Sequence, residues 1–93
     1  MNNKEMLHIG FNNIVMTRRI IAILSPESAP VKRIVAESKD KGVAVDVTHG
    51  RRTRAVILTD TDFVFLSSLQ PETLAGRMNS DDESNSSADQ ADL

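Results

Sequence analysis

Over much of this 93-residue chain, the apolar residues form short runs rather than long helical stripes. "MLHIGF" at residues 6–11 alternates imperfectly, which predicts a short strand, and the "NN" after it predicts a tight turn because asparagine tolerates left-handed backbone. Residues 14–24, "IVMTRRIIAIL", are rich in β-branched side chains. The interruption at residues 17–19 indicates either a turn between two strands or one bent strand.

The segment "SPESAP" at residues 25–30 is predicted to stop the strand, because proline cannot donate to a central strand ladder, and also to start a helix. Ser28 is the expected N-cap, and Pro30 then lies in the first turn, where its missing N–H costs nothing. Gly42 is well placed to end the helix. The residues that recur at helical spacing on one narrow face are Val31, Ile34, Val35 and Ser38.

The second half of the chain predicts further strands. "VAVDVTH" at residues 43–49 alternates, and "RAVILT" at residues 54–59 is a second strand pattern, so "GRRT" between them predicts a hairpin with a basic tip. The elements expected after it are a turn at residues 60–62, a strand at residues 63–69 and a short helix at residues 70–78. Helices and strands do not alternate as βαβ units. An α+β fold follows, with a small, mostly antiparallel sheet, one main helix and a short C-terminal helix.

Charge divides the chain into two parts. All 11 basic residues and 8 of the 13 acidic ones lie in residues 1–78, which gives that part a net charge of +3. Residues 79–93, "NSDDESNSSADQADL", hold the other 5 acids and no base, hence −5, and their composition predicts a disordered tail. The folded unit is therefore expected to be a mildly basic domain at residues 1–78. A domain this small is marginally stable alone, and self-association would remedy that.

Composition also narrows the classes of function. The chain has no cysteine, and its two histidines, His8 and His49, lie far apart, so no metal or other cofactor is expected. No nucleophile elbow, P-loop or dinucleotide fingerprint occurs, so the protein is predicted not to be an enzyme, and no small-molecule ligand is evident. No apolar run approaches the roughly 20 residues of a membrane span. The expectation is a soluble, cytoplasmic protein without a membrane partner.

Two arginine clusters are the candidate functional residues. Arg51, Arg52 and Arg54 surround the predicted hairpin tip, and Arg18 and Arg19 interrupt the earlier strand pattern. Guanidinium groups bind phosphate in bidentate fashion and stay charged at any relevant pH, which suits nucleic-acid backbones. The alternative interpretation is that they are solvated turn charges or ion-pair partners of Asp46, Asp60 and Asp62.

Other candidates have simpler explanations. Phe63 and Phe65 have the spacing of an RNA-stacking platform, but core packing accounts for them in a chain with so few aromatic residues. His49 could touch a phosphate or simply be exposed. Asp60 and Asp62 could form a carboxylate pair, yet "TDTD" is also ordinary turn chemistry.

Four segments together resemble the RemA family of bacterial extracellular-matrix regulators: "IGFNNIV", "IIAILSPESAPVKRIV", "VDVTHGRRTRAVIL" and "QPETLAGRM". The resemblance covers residues 7–78. It implies a DNA-binding transcriptional regulator of biofilm matrix genes that assembles into a ring-shaped homo-oligomer. It also implies a fold like that of LytTR-type DNA-binding domains, without a helix-turn-helix. The family's functional arginines correspond to Arg19, Arg51 and Arg52.

The chain departs from the family pattern at three positions. Asn12 stands where glycine is usual, a mild change because both residues accept left-handed backbone. Arg18 stands in place of asparagine, and the added charge is expected to strengthen backbone contact or alter sequence preference. His49 stands in place of tyrosine.

The resemblance and the charge pattern lead to one main hypothesis, in which double-stranded DNA contacts arginine loops repeated around a homo-oligomeric ring. Repetition raises avidity without new contacts, and such DNA would be read largely through backbone and groove shape. The alternative is an oligomeric scaffold whose basic loops dock RNA or an acidic protein partner.

Overall fold

The computed structural model describes residues 5–79 of the chain. Within that range it contains six strands and two helices, which confirms the α+β class and the short C-terminal helix. The elements are β1 (Met6–Gly10), β2 (Asn13–Met16), β3 (Ile20–Leu24), α1 (Ala29–Asp40), β4 (Ala44–Asp46), β5 (Ala55–Thr59), β6 (Val64–Ser67) and α2 (Pro71–Asn79). Apart from Asn79, the predicted acidic tail lies outside the described residues, and its disorder stays a prediction.

The strands form two sheets. β1 and β2 make an antiparallel two-stranded sheet, and the other four strands lie in the order β3-β5-β6-β4. β5 pairs antiparallel with both β3 and β6, whereas β4 pairs parallel with β6. Within residues 5–79 the pairing is thus mostly antiparallel, as expected, with one parallel ladder at the edge.

The predicted hairpin between β4 and β5 is wrong. β6 lies between these two strands in the sheet, so residues 47–54 form a connection that passes the end of β6 rather than a tight hairpin tip. The physical reason is burial, because Ala55, Val56 and Ile57 are fully buried and need a neighbouring strand on each side. Local alternation around "GRRT" carries no information about that distant partner.

β5 is central because both of its faces are covered. Ala55 and Ile57 face a core formed with the small sheet and α2, which includes Leu7, Ile9 and Leu74. The core on the opposite face of the sheet comprises Val31, Val56, Val64 and Leu66, with Leu24, Ile34, Val35 and Leu58 packed against it. The four-stranded sheet is therefore sandwiched between α1 on one face and the β1–β2 sheet with α2 on the other.

The predicted start of α1 is confirmed. The Ser28 hydroxyl accepts a hydrogen bond from the Val31 backbone N–H at 3.4 Å, and proline occupies the first turn. Val31 and Ser38 are buried, as the predicted face requires. The helix ends before Gly42, whose φ of 75° is favourable for glycine.

The small sheet refines two expectations from the sequence. Its turn centres on Phe11 and Asn12, with φ of 54° and 67°, one residue earlier than predicted. Positive φ at both central residues is the mark of a type I′ hairpin turn. Residues Thr17–Arg19 form a single 3-10 turn between β2 and β3, so the chain passes between sheets there instead of continuing as one bent strand.

Side-chain hydrogen bonds tie the two layers together. The hydroxyl of Ser67, which is fully buried at the end of β6, donates to the Ile9 carbonyl in β1 at 2.8 Å. Arg77 in α2 donates through Nη1 to the His8 carbonyl at 3.0 Å. The Ser67 bond holds the β1–β2 hairpin against the main sheet, and the Arg77 bond joins the hairpin to α2 within the same layer. Neither helix in residues 5–79 is long and apolar enough to cross a membrane.

Candidate nucleic-acid interface

The first arginine cluster lies on the connection from β4 to β5, here called the basic loop (residues 47–54). Both of its ends are bonded to β6. The Val47 N–H donates to the Leu66 carbonyl at 3.0 Å, and the Arg54 N–H donates to the Ser67 carbonyl at 2.8 Å. The loop therefore projects from the end of the sheet with both of its ends fixed, and the side chains of its arginines are exposed.

Asp46 fixes the entry to the basic loop. Its Oδ1 accepts from the Thr48 backbone N–H at 2.9 Å and from the Thr48 hydroxyl at 2.7 Å. These bonds, the side-chain bond first, lower the pKa of the Asp46 carboxyl, because they favour the ionised form. The Thr48 carbonyl then accepts from the Arg51 N–H at 3.0 Å. The path of the loop is thus set before the arginines begin.

Two arginines of the loop, Arg51 and Arg52, have different surroundings. The Arg51 guanidinium carbon lies 5.5 Å from the centroid of the Phe11 ring, within cation–π range. Arg52 donates through Nη2 to Oε2 of Glu27 at 3.4 Å, and both side chains are exposed. The ionic contact with Glu27 is long and solvated, so it offsets little of the loop's positive charge.

The second arginine cluster occupies the 3-10 turn before β3, here called the basic turn (Thr17–Arg19). Arg19 Nε lies 2.8 Å from both carboxylate oxygens of Asp60, and the Asp60 N–H donates to the Arg19 carbonyl at 2.9 Å. The alternative interpretation, in which an arginine pairs with an acid of the next turn, therefore holds for Arg19. Arg18 is exposed and forms no ion pair with another described residue.

Within one chain, the two clusters lie at opposite ends of the β3–β5 ladder. Ile20, next to the basic turn, pairs with Thr59, while Leu24 pairs with Val56 close to the basic loop. The intervening steps span roughly 14 Å at about 3.4 Å each. The fold therefore brings Arg51, Arg52 and Arg54 together but does not bring Arg18 and Arg19 to them.

The other sequence candidates are also resolved. Phe65 packs against the core around β5, as the simpler explanation predicted, whereas Phe63 is about half exposed. Asp60 pairs with Arg19 and not with Asp62. His49 is exposed, but its ring stacks on Phe11 with centroids 4.3 Å apart.

Phe11 was not predicted as a site residue, because its sequence position suggested the end of a strand. The available signal was "GFNN", a two-residue turn between strand patterns that places an aromatic side chain at its centre. That signal locates Phe11 at an exposed turn, but it does not reveal that the basic loop lies beside it.

Comparison with known protein families identifies a family whose model covers nearly all of the elements described above. The model of the RemA-like family, described as extracellular matrix regulatory protein A-like, matches residues 6–78. The chain belongs to the RemA-like family. The match includes all of β1 to β6, both arginine clusters and nearly all of α2, which confirms the resemblance noted in the sequence.

Curated relatives extend over most of the chain. A protein of Clostridium novyi is 58% identical over 81 residues, which cover 87% of this chain and 90% of the relative. One from Clostridium acetobutylicum is 51% identical over 88 residues, covering 95% and 96%. One from Desulforamulus reducens is 61% identical over 74 residues, covering 80% and 82%. Each carries the name "Putative regulatory protein", and with the RemA-like family description these names support a regulatory role.

Proposed function

We propose that this RemA-like protein is a DNA-binding transcriptional regulator of extracellular-matrix genes that acts as a ring-shaped homo-oligomer. Duplex DNA would contact the phosphate-binding arginines of the basic loop on successive subunits. A fold like that of LytTR-type domains is part of the same proposal, because in it an exposed loop rather than a recognition helix would meet the DNA.

The observation that carries the proposal is the excess positive charge of the basic loop. Three exposed arginines stand within four positions, and one long contact to Glu27 is the single ion pair that any of them makes with a described residue. Like charges held this close stabilise no fold, so a polyanionic partner explains them best. Both ends of the loop are bonded to β6, which limits the ordering that DNA binding must impose.

The surface around β2 and β3 supports self-association. β3 is an edge of the four-stranded sheet, and its Ile21 side chain is 68% exposed. Ile14 and Met16 on β2, which precedes β3 in the chain, are also more than 40% exposed. An edge strand with exposed apolar side chains is a ready template for pairing with another copy.

DNA binding is tested by measuring the affinity for a duplex as a function of salt. The wild-type protein should bind, with log K falling linearly against log salt at about 0.9 per phosphate contact. Arg51→Ala with Arg52→Ala should weaken binding to preferred and unrelated duplexes alike, and should reduce that slope. Lys32→Ala with Arg33→Ala is the matched control, because it removes two exposed charges from α1.

Equal losses in the two double variants would reduce the proposal to a general charge effect. Salt-insensitive assembly without retention of duplex DNA would overturn it in favour of the scaffold hypothesis. Preferential binding of RNA or of an acidic protein would do the same.

Self-association is tested separately with Ile21→Lys. Because Ile21 is mostly exposed, its replacement should change the free energy of unfolding by no more than about 0.5 kcal/mol. The same change should reduce the oligomer to smaller species in light scattering if this edge meets another copy. An unchanged oligomer mass of this variant would show that the subunits do not meet at the β3 edge.

A further inference from the structure

The turn of the β1–β2 hairpin touches the basic loop through a pair of stacked rings. The rings of Phe11 and His49 are 4.3 Å apart between centroids and 20° from parallel. Arg51 lies over the same Phe11 ring at 5.5 Å. Phe11 thus contacts both a histidine and an arginine of the loop, although it belongs to a different sheet.

Both stacked residues have backbone conformations that L side chains rarely adopt. Phe11 has φ of 54° and His49 has φ of 55°. Phenylalanine in this left-handed region is an outlier, whereas histidine is found there more often, and such strain collects at functional sites.

Local hydrogen bonds hold each turn in place. The Asn13 side-chain amide donates to the carbonyls of Gly10 and Phe11 at 3.0 and 3.1 Å. On the other side, Arg51 N–H donates to the Thr48 carbonyl. Two independently fixed turns therefore present one ring each, face to face, next to the arginine.

We propose that Phe11 and His49 are positioning residues for DNA binding, forming an aromatic support that holds the Arg51 guanidinium ready for a phosphate. The inference rests on the proposed function and deepens it. An unsupported arginine must lose side-chain freedom when it meets DNA, whereas one already held over a ring loses less. Phe11 accordingly acts through Arg51 and does not itself need to touch the DNA.

The test is a double-variant cycle on duplex affinity. Phe11→Leu should weaken binding by about twofold to fivefold per engaged subunit, the range of an exposed cation–π contact. In an Arg51→Ala background the same change should have no further effect. Phe11→Tyr and His49→Tyr keep a stackable ring and should retain wild-type affinity, whereas His49→Ala should weaken it.

Thermal melting and solution mass of each variant separate positioning from folding. The support role is overturned if Phe11→Leu lowers DNA affinity equally with and without Arg51. It is also overturned if Phe11→Tyr, which keeps the ring, does not retain wild-type affinity. Wild-type affinity of Phe11→Leu, alongside a loss in Arg51→Ala, would refute this inference while leaving the proposed function intact. If the Arg51→Ala variant and the Arg51→Ala, Arg52→Ala double variant both keep wild-type affinity for duplex DNA, the proposed function is refuted instead.

Discussion

The basic loop and the basic turn look alike in the sequence and differ in the structure. Both place adjacent arginines at an interruption between strand patterns. In the turn, Arg19 contacts both carboxylate oxygens of Asp60 at 2.8 Å, and Asp62 follows two residues later. In the loop, three arginines face one weakly contacting acid, Glu27.

This difference shows that the number of arginines is a poor guide to available charge. In the basic turn, Asp60 offsets Arg19 at short range and leaves Arg18 without an ion pair to a described residue. In the basic loop, Arg51 and Arg54 form no ion pair with a described residue, and Arg52 forms only a long one. The loop should therefore supply most of the electrostatic attraction for a polyanion. The basic turn then serves either as a weaker second contact or as a brace between β3 and the β5–β6 turn.

The largest expected effect separates the two regions directly. Arg51→Ala with Arg52→Ala and Arg18→Ala with Arg19→Ala each remove two charges. The loop variant should lose at least tenfold in duplex affinity, because phosphate contacts repeat on every subunit. The turn variant should lose less, since Asp60 already offsets Arg19. Fluorescence anisotropy on both variants at one salt concentration measures which of them loses more duplex affinity. A larger loss in the turn variant would contradict the greater role given to the basic loop.

The role of Arg19 can be sharpened with Asp60→Asn, which removes the acid of the pair. Freed from its partner, Arg19 should raise duplex affinity by about twofold to fivefold, the range expected for an exposed ion pair. The free energy of unfolding should fall by no more than about 1 kcal/mol, because both side chains are about half exposed. A drop in affinity would instead show that Asp60 holds Arg19 in its binding position.

A smaller gain is expected from Glu27→Gln beside the basic loop. The contact with Arg52 is 3.4 Å long and both side chains are mostly exposed, so its removal should raise affinity by about twofold at low salt and not at high salt. Titrations at two salt concentrations test this. A large gain at both would mean that Glu27 masks the loop more strongly than the geometry indicates.

The smallest effect concerns the pH dependence of stability at the entry to the loop. The Thr48 hydrogen bonds lower the pKa of Asp46 below its ordinary 3.8. Their stabilisation is fully present above that ordinary value and is lost as pH falls through the lower pKa of the folded state. Asp46→Ala should therefore lower the free energy of unfolding at pH 7. The free energy of unfolding of this variant should also fall less steeply in acid than that of the wild type. Urea unfolding at pH 7 and below pH 4 gives both values, and parallel curves for the two proteins would contradict the role of Asp46.

Local signals in the sequence predicted a large part of the fold. Ser28 as a cap, the proline in the first turn and the spacing of Val31, Ile34 and Val35 were enough to place α1. These features act within a few residues, so they can be read without knowledge of the partner strands. The basic clusters were found in the same way, from adjacent residues.

Long-range pairing was not predictable from those signals. The short β4 pairs with β6, about 20 residues later, and the position of β6 between β4 and β5 turned an expected hairpin into a crossing loop. The same fold places Phe11 beside His49 and Asp60 beside Arg19, 38 and 41 residues apart in sequence. Which arginine is paired and which is supported by a ring depends on these contacts.

We propose that the basic loop binds DNA and contributes nothing to assembly. The most direct test is the mass in solution of the wild-type protein and of the Arg51→Ala, Arg52→Ala variant, each with and without duplex DNA. We predict one oligomer mass for both proteins without DNA, well above the 10.2 kDa of a single chain, and a larger complex with DNA for the wild type alone. A variant that keeps its DNA but falls apart into single chains would contradict the account, because the arginines would then be interface residues.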